Sequence, residues 1–267
     1  MRVFDSVVTR SRNAPEWLVA RPIAHRGLHD AAKGVVENTL AAAEAAIAAG
    51  YAIECDARIS ADGEAFVFHD EALDRLTDKS GVFADATVAE IGGARIRGDG
   101  SPPPTLAAFL AHVAGRAPVI CELKSRFDFD WRIGDCAAAL AAAYDGRLAL
   151  KSFDPRLVAY LRLRWPKLGP PGRPCPVGVV AEGSYDDPYW DFLAVHEKRD
   201  LADWETLMRC APDFLSFNVD HLPHATPFFM KELHGLPVMA WTVRTPAQRE
   251  AARKWADQIL FEGDPCG

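Results

Sequence analysis

A chain of 267 residues, 49% hydrophobic and 25% charged, carries too much apolar material for intrinsic disorder and enough for one large domain. Its 37 acidic against 30 basic side chains give a net charge of −7, which disfavours indiscriminate binding to phosphate backbones, so no nucleic acid partner is expected. No run approaches the roughly 20 apolar residues that cross a bilayer, and the opening MRVFDSVVTRSRNAPEW has no apolar leader stretch, so the expectation is a cytoplasmic protein without an integral membrane segment.

Residues 1–20 read as an N-terminal extension and 21–267 as a single domain. From its start, short β-like runs alternate with longer Ala-rich helical stretches. A strand at Pro22–His25 precedes a helix at Thr39–Ala49 that Gly50 ends, then a strand at Ala52–Arg58. A helix at Leu106–Ala114, ended by Gly115, leads into strands at Val119–Lys124, Leu148–Phe153, Val177–Val180, Phe214–Asn218 and Val238–Val243. A last helix at Pro246–Ala256, with Pro in its first turn, is followed by a strand at Gln258–Phe261. Eight strands joined by crossover helices match an α/β (β/α)8 barrel of the TIM type, whose active-site side chains gather at the C-terminal strand ends. An open doubly wound sheet fits less well, because no glycine-rich phosphate turn follows the first strand.

One segment breaks the alternation. Asp62-Gly63 between the β-like runs that end at Ser60 and begin at Glu64 predicts a two-residue hairpin turn flanked by Ala61 and Glu64. That register places His69 opposite Asp56, with the hairpin rising from the second strand over the C-terminal mouth. The proline-rich stretches 96–104 and 169–176 are too short to link domains. The six cysteines, Cys55, Cys121, Cys136, Cys175, Cys210 and Cys266, form no CxxC pair and are expected to be reduced and structural.

Glu54 and Asp56 are two apart on a strand and share a face, with Cys55 on the other. Glu122 and Lys124 share a face by the same parity. A single charged strand residue is usually an exposed edge or a salt-bridge partner, but three acids and a lysine at barrel strand ends point to a hard cation, Mg²⁺ or Ca²⁺. No nearby Cys/His spacing suggests structural zinc. Without a cation such a carboxylate cluster is expected to repel itself. His25 and Arg26 close the first strand and run into Gly27, where a small residue allows close approach to a ligand. With His69 brought to the same mouth, two imidazoles can serve as acid and base. Asn38 alone reads as the N-cap of the helix at Thr39, and Trp241 as a buried strand residue or a pocket wall. Parity leaves open which of Lys151 and Ser152 faces inward, and His29, His112, His196, His221, His224 and His234 read as surface or loop residues.

Ala24-His25-Arg26-Gly27, Glu37-Asn38-Thr39, Glu54-Cys55-Asp56, Phe68-His69-Asp70 and Cys121-Glu122-Leu123-Lys124 occur in that order, followed by Pro104-Thr105-Leu106, Ser152-Phe153 and Trp241-Thr242-Val243. In these motifs and their spacing the chain resembles the glycerophosphodiester phosphodiesterase family. The resemblance implies a distorted barrel that hydrolyses small glycerophosphodiesters to glycerol 3-phosphate and an alcohol with one divalent cation. It implies Glu54, Asp56 and Glu122 as metal ligands, with Glu37 a further candidate, and His25 and His69 as the acid/base pair. Arg26 and Lys124 would hold the phosphate, with Glu37, Asn38 and Trp241 around the substrate. Two features depart from the pattern: Arg244 stands where many relatives have Asn, and the usual insertion after the His-Asp motif is shortened to the segment ending at Ser101. Alternatives are a lipid-cleaving enzyme of the sphingomyelinase D type, a barrel that binds phosphodiesters without turnover, and a Schiff-base lyase using Lys124 or Lys151.

Overall fold

The computed structural model describes residues 14–264. Its strands are β1 (Ile23–Ala24), β2 (Ala52–Ile59), β3 (Ala65–Val67), β4 (Val119–Leu123), β5 (Leu148–Ser152), β6 (Val177–Ala181), β7 (Leu215–Asn218), β8 (Val238–Val243) and β9 (Gln258–Phe261). They form one sheet in the order β1-β9-β8-β7-β6-β5-β4-β2-β3, and pairing of β1 with β2 closes it. Every pairing is parallel except β2 with β3, so all the strands but β3 make the (β/α)8 barrel expected from the sequence. β1 is short for a local reason: Pro22 lacks a ladder donor, while Arg26 and Gly27 turn the chain away with φ of 57° and 78°.

Helices Leu40–Ala48, Leu106–Val113, Pro155–Arg164 and Pro246–Trp255 run outside, each started by a side-chain cap from Thr39, Thr105, Asp154 and Thr245 respectively. The cap of the first is therefore Thr39, whose side chain accepts from Ala42 N, and not Asn38. Alternate strand residues such as Cys55, Cys121, Leu150 and Val179 pack outward against Phe109, Leu157 and Leu161 of these helices. The inward residues divide into two storeys. At the bottom, Ile23, Ala52, Ile120, Ala149, Phe214, Met239 and Leu260 form an apolar plug that Leu18 and Trp17, from the segment assigned to the extension, complete. Residues 1–13 of that segment lie outside the described residues. The upper storey is ionic, and because an uncompensated buried charge costs several kcal/mol, this fold holds only if those charges are matched there.

The hairpin forms, but one residue out of the expected register. Ile59 pairs with Ala65, Arg58 with Phe66 and Ala57 with Val67. Ser60 N donates to Glu64 O at 2.9 Å, and Gly63 N to Ser60 O at 3.1 Å, with Gly63 at φ 93°. Ala61, Asp62 and Gly63 thus make a three-residue loop ending in a left-handed glycine, which competes with the two-residue turn for the same Asp-Gly signal. Asp62 is used elsewhere, accepting from Val88 N and Ser60 Oγ. In consequence Phe68, and not His69, stands opposite Asp56, with Phe68 N donating to Asp56 O. Phe68 stacks on Phe83 at 4.9 Å in a satellite core with Phe66, Leu73 and Ile91, which anchors the shortened insertion. His69 follows after the chain has left the ladder, and it still reaches the mouth.

Gly27 serves a different contact from the one expected. A Cβ there would lie 2.7–2.9 Å from the Cβ, carbonyl carbon and oxygen of Ala42, so the glycine lets β1 turn against the first outer helix. Gly27→Ala combines this clash with a left-handed φ, and is expected to destabilise the fold by about 2–3 kcal/mol, read as a lower midpoint in denaturant unfolding. An unchanged midpoint would show that the helix packs more loosely than this.

Candidate active site

Register turns the sequence parity into a cluster. Asp56 on β2 is the ladder partner of Glu122 on β4, and Glu122 is the partner of Lys151 on β5. Glu54, Asp56 and Glu122 are all buried, and one oxygen from each lies within 4.8 Å of the others. Lys124 Nζ is 2.9 Å from Asp56 Oδ1 and also touches Glu122 Oε1. Lys151 Nζ lies 3.0 Å from Glu54 Oε1 and 3.4 Å from Glu122 Oε2, which settles that Lys151 faces inward. Arg26 adds a third cation, its Nε 3.4 Å from Asp56 Oδ2.

These contacts correct the expectation of a self-repelling cluster, because cations are interleaved with the acids. Burial alone would raise the Asp56 carboxyl, but Lys124, His69 and Arg26 hold it well below the usual carboxylate range. Glu122 is likewise lowered against its own burial by Lys124 and Lys151. Burial would lower both lysines, yet the facing carboxylates raise Lys124 and Lys151. Both amines are held protonated, the opposite of what a Schiff-base nucleophile needs. The donor set is all carboxylate oxygen, buried and convergent, which fits a hard divalent cation and not a thiolate- or imidazole-bound metal.

Two left-handed residues frame the cluster. Arg26, at φ 57°, points its backbone N–H at Glu54 Oε2, 3.0 Å away. Asn38, at φ 58°, donates from its side chain to Asp56 Oδ2 at 2.9 Å and accepts from Asp56 N at 3.1 Å. Such conformations cost about 1 kcal/mol or more for residues with a Cβ, and here the hydrogen bonds to Glu54 and Asp56 offset that cost. Asn38 is thus a clamp on an acid of the cluster.

The histidines share one arrangement. His25 Nδ1 is 2.6 Å from Glu262 Oε1, and its Nε2 is 3.9 Å from Glu54 Oε2. His69 Nδ1 is 2.8 Å from Asp70 Oδ1. Burial would raise Glu262 and Asp70, but their histidine and arginine partners lower both, so each carboxylate accepts from Nδ1–H and leaves Nε2 free of that bond. Burial, helped by Lys124, lowers His69 below the ordinary imidazole value, with Asp56 and Asp70 opposing.

Glu37 holds Arg26 NH1 at 2.7 Å and Arg75 NH2 at 2.8 Å, and Arg75 also grips both oxygens of Asp70. Among the described residues Glu37 is not part of the metal-sized cluster; it ties Arg26 to the support of His69. Trp241 on β8 packs edge-on to Phe153 at 5.6 Å, and its indole N–H has no hydrogen-bond partner among the described residues. His25, Arg26, His69, Glu122, Lys124 and Trp241 line one cavity of about 270 Å³ at the mouth.

Three contributors were missed in the sequence: Glu262 and Arg75 fix the histidines, and Glu182 lines the cavity, while Arg244, noted only as a departure from the family pattern, holds Glu262 at 2.7 Å and 3.0 Å. Arg75, five residues beyond Asp70 in the same loop, had the only local signal. Two histidines expected merely in loops also matter here: His29 lies 4.0 Å from Glu262, and His221 lies 3.9 Å from Glu182.

Fold and site together define a TIM-type barrel whose mouth gathers cations, buried acids and two carboxylate-braced imidazoles. By its sequence the chain belongs to the glycerophosphoryl diester phosphodiesterase family, whose profile matches residues 25–263. It is 44% identical over 70 residues to a glycerophosphodiester phosphodiesterase of Caldanaerobacter subterraneus, and 40% identical over 97 residues to glycerophosphodiester phosphodiesterase 1 of Bos taurus. These matches cover 26% and 34% of the chain, and 28% of each relative. The fold is similar to an Oleispira antarctica phosphodiesterase solved with the product sn-glycerol-3-phosphate (TM-score 0.70, 20% identity, 90% of this chain and 91% of that one). A glycerophosphodiester phosphodiesterase from Parabacteroides distasonis is as similar (TM-score 0.70, 19% identity, 91% and 92% covered).

Proposed function

We propose that this protein hydrolyses glycerophosphodiesters to glycerol 3-phosphate and an alcohol, placing it in lipid and glycerol metabolism. The observation that carries the proposal is the pairing of His25 and His69, each braced at Nδ1 by a carboxylate, across a cavity that also holds Arg26, Lys124 and the acidic cluster. Glu54, Asp56 and Glu122 would hold one Mg²⁺ or Ca²⁺, which when bound supplies charge against the phosphoryl oxygens and orients them. Arg26 and Lys124 add fixed cations for the same oxygens. Glu37 and Asn38 act through what they hold, one the Arg26 guanidinium and the other Asp56. Trp241 walls the substrate and offers its unpartnered indole N–H.

His69, kept below the ordinary imidazole value, carries a free Nε2 lone pair at neutral pH and takes the proton of the nucleophile. His25 returns a proton to the leaving alcohol. The glycerol 2-hydroxyl is the nearest nucleophile to phosphorus, and its intramolecular attack is favoured over capture of a water, so a cyclic phosphate forms first and is then hydrolysed.

Residues 21–267 make up the single catalytic domain of this proposal, with 1–20 as an extension whose Trp17 and Leu18 close the barrel's lower plug. A cytoplasmic location is supported by the free thiols of Cys55, Cys121, Cys136, Cys175 and Cys210, while Cys266 lies outside the described residues. Among the described residues no helix is long and apolar enough to cross a membrane.

Arg26 tests the phosphate assignment. Lysine keeps the charge but loses the planar fork that spans two oxygens, so Arg26→Lys should lower kcat/KM by at least about tenfold. Steady-state kinetics on a glycerophosphodiester check this, and an unchanged value would place Arg26 outside the site.

A further inference from the structure

The mouth is electrostatically lopsided. Arg26, Lys124, Lys151 and the acidic cluster stand on β1, β2, β4 and β5 and the turns that follow them, whereas the facing wall is built from the ends of β6, β7 and β8, where Arg244, directly after β8, is already paired with Glu262. That wall carries Glu182, directly after β6, and Asn218 and Trp241, which are ladder partners on β7 and β8. Glu122 in the same cavity is paired with two lysines, but Glu182 is not so compensated. Its side chain is 14% exposed, it accepts from Asn218 Nδ2 at 3.3 Å and from the Trp190 side chain, and His221 lies 3.9 Å away. Among the described residues no lysine or arginine forms an ion pair with Glu182. Burial pushes its carboxyl up, with the Asn218 hydrogen bond opposing, as befits an acid lacking a cationic partner. The other acid in this wall, Asp220, is at the surface and takes a hydrogen bond from Gln248 at 2.7 Å.

Aromatic rings line the same cavity as Glu182. Trp190 packs on Phe153 at 5.0 Å and on Tyr189 at 4.8 Å, and Phe153 meets Trp241 edge-on. A carboxylate beside aromatic rings suits an ammonium, because ring faces attract cations and a weakly hydrated quaternary ammonium gives up little water to reach them. A phosphodiester seated on Arg26 and Lys124 would direct its far end across the cavity to this wall.

We propose that Glu182, with Phe153, Trp190 and Trp241, is a subsite for a cationic head group, so that the preferred substrates are zwitterionic diesters carrying an ammonium on the released alcohol. The proposal rests on the phosphodiesterase reading for its substrate, but its binding test does not depend on turnover. Phosphocholine and sn-glycerol 3-phosphate are titrated separately, with Mg²⁺ present, into the wild type and Glu182→Gln, following tryptophan fluorescence. The Kd for phosphocholine should rise about tenfold in the variant, while that for glycerol 3-phosphate changes by less than about twofold and so reports that the variant is folded. In parallel, the ratio of kcat/KM for glycerophosphocholine to that for glycerophosphoglycerol should fall about tenfold. Unchanged phosphocholine binding, or equal weakening of both ligands, overturns the subsite. The expected binding change in a protein that hydrolyses neither diester upholds the subsite and overturns the hydrolytic function instead.

Discussion

Glu54→Gln, Asp56→Asn and Glu122→Gln are each expected to lower kcat/KM by at least about a thousandfold, because each removes one of three convergent oxygen ligands and no neighbouring acid can substitute. Stability should fall as well. Lys151 is 2% exposed between Glu54 and Glu122, so loss of either acid leaves a buried ammonium short of a partner, a defect worth about 3–5 kcal/mol when a buried pair is broken. The two effects separate experimentally. Below its lowered midpoint each variant should give a native circular dichroism spectrum, show no turnover, and lose the rise in Tm that Mg²⁺ or Ca²⁺ gives the wild type. Full activity of the wild type after exhaustive chelation would overturn the metal assignment.

The second large effect concerns the imidazoles. His25→Ala and His69→Ala should each lower kcat by about 10²–10⁴, the usual range for a positioned acid or base, with far smaller changes in stability. The pH profile of the wild type should be bell-shaped. Its acidic limb reports the base, so with His69 held below the ordinary imidazole value of 6.5, activity should be lost only as pH falls through that lowered value. A limb centred above 6.5 would contradict the assignment of His69 as the base. A substrate lacking the glycerol 2-hydroxyl should be nearly inert, whereas its rapid cleavage would remove the cyclic step and make water the direct nucleophile.

How much of this was legible in the sequence follows from how local each signal is. Strand parity put Glu54, Asp56, Glu122 and Lys124 on inward faces because a buried parallel strand permits charge only where the barrel opens. Parity could not orient Lys151, whose placement opposite Glu122 depends on register between strands distant in sequence. The hairpin was recognisable from Asp-Gly, but loop length was not: Gly63 with φ 93° closes a three-residue loop, and that choice depends on Asp62 being drawn to Val88. Asn38 looked like a cap because Asn caps helices well, until Thr39 took that position and left Asn38 to Asp56. Glu262 had no local signature, since its bond to His25 joins residues 237 positions apart. Self-repulsion of the acids was expected because only one of the three cations that meet them, Lys124, had been placed on the same face.

The most direct test of the proposed chemistry is product analysis by phosphorus NMR. Purified protein is incubated with a glycerophosphodiester and Mg²⁺ or Ca²⁺, beside the His25→Ala, His69→Ala double variant. Hydrolysis at the head-group ester predicts glycerol 3-phosphate with release of the free alcohol, a transient cyclic phosphate resonance, and no product from the double variant. Phosphorylated head group in place of glycerol 3-phosphate, or equal turnover by the double variant, would contradict it.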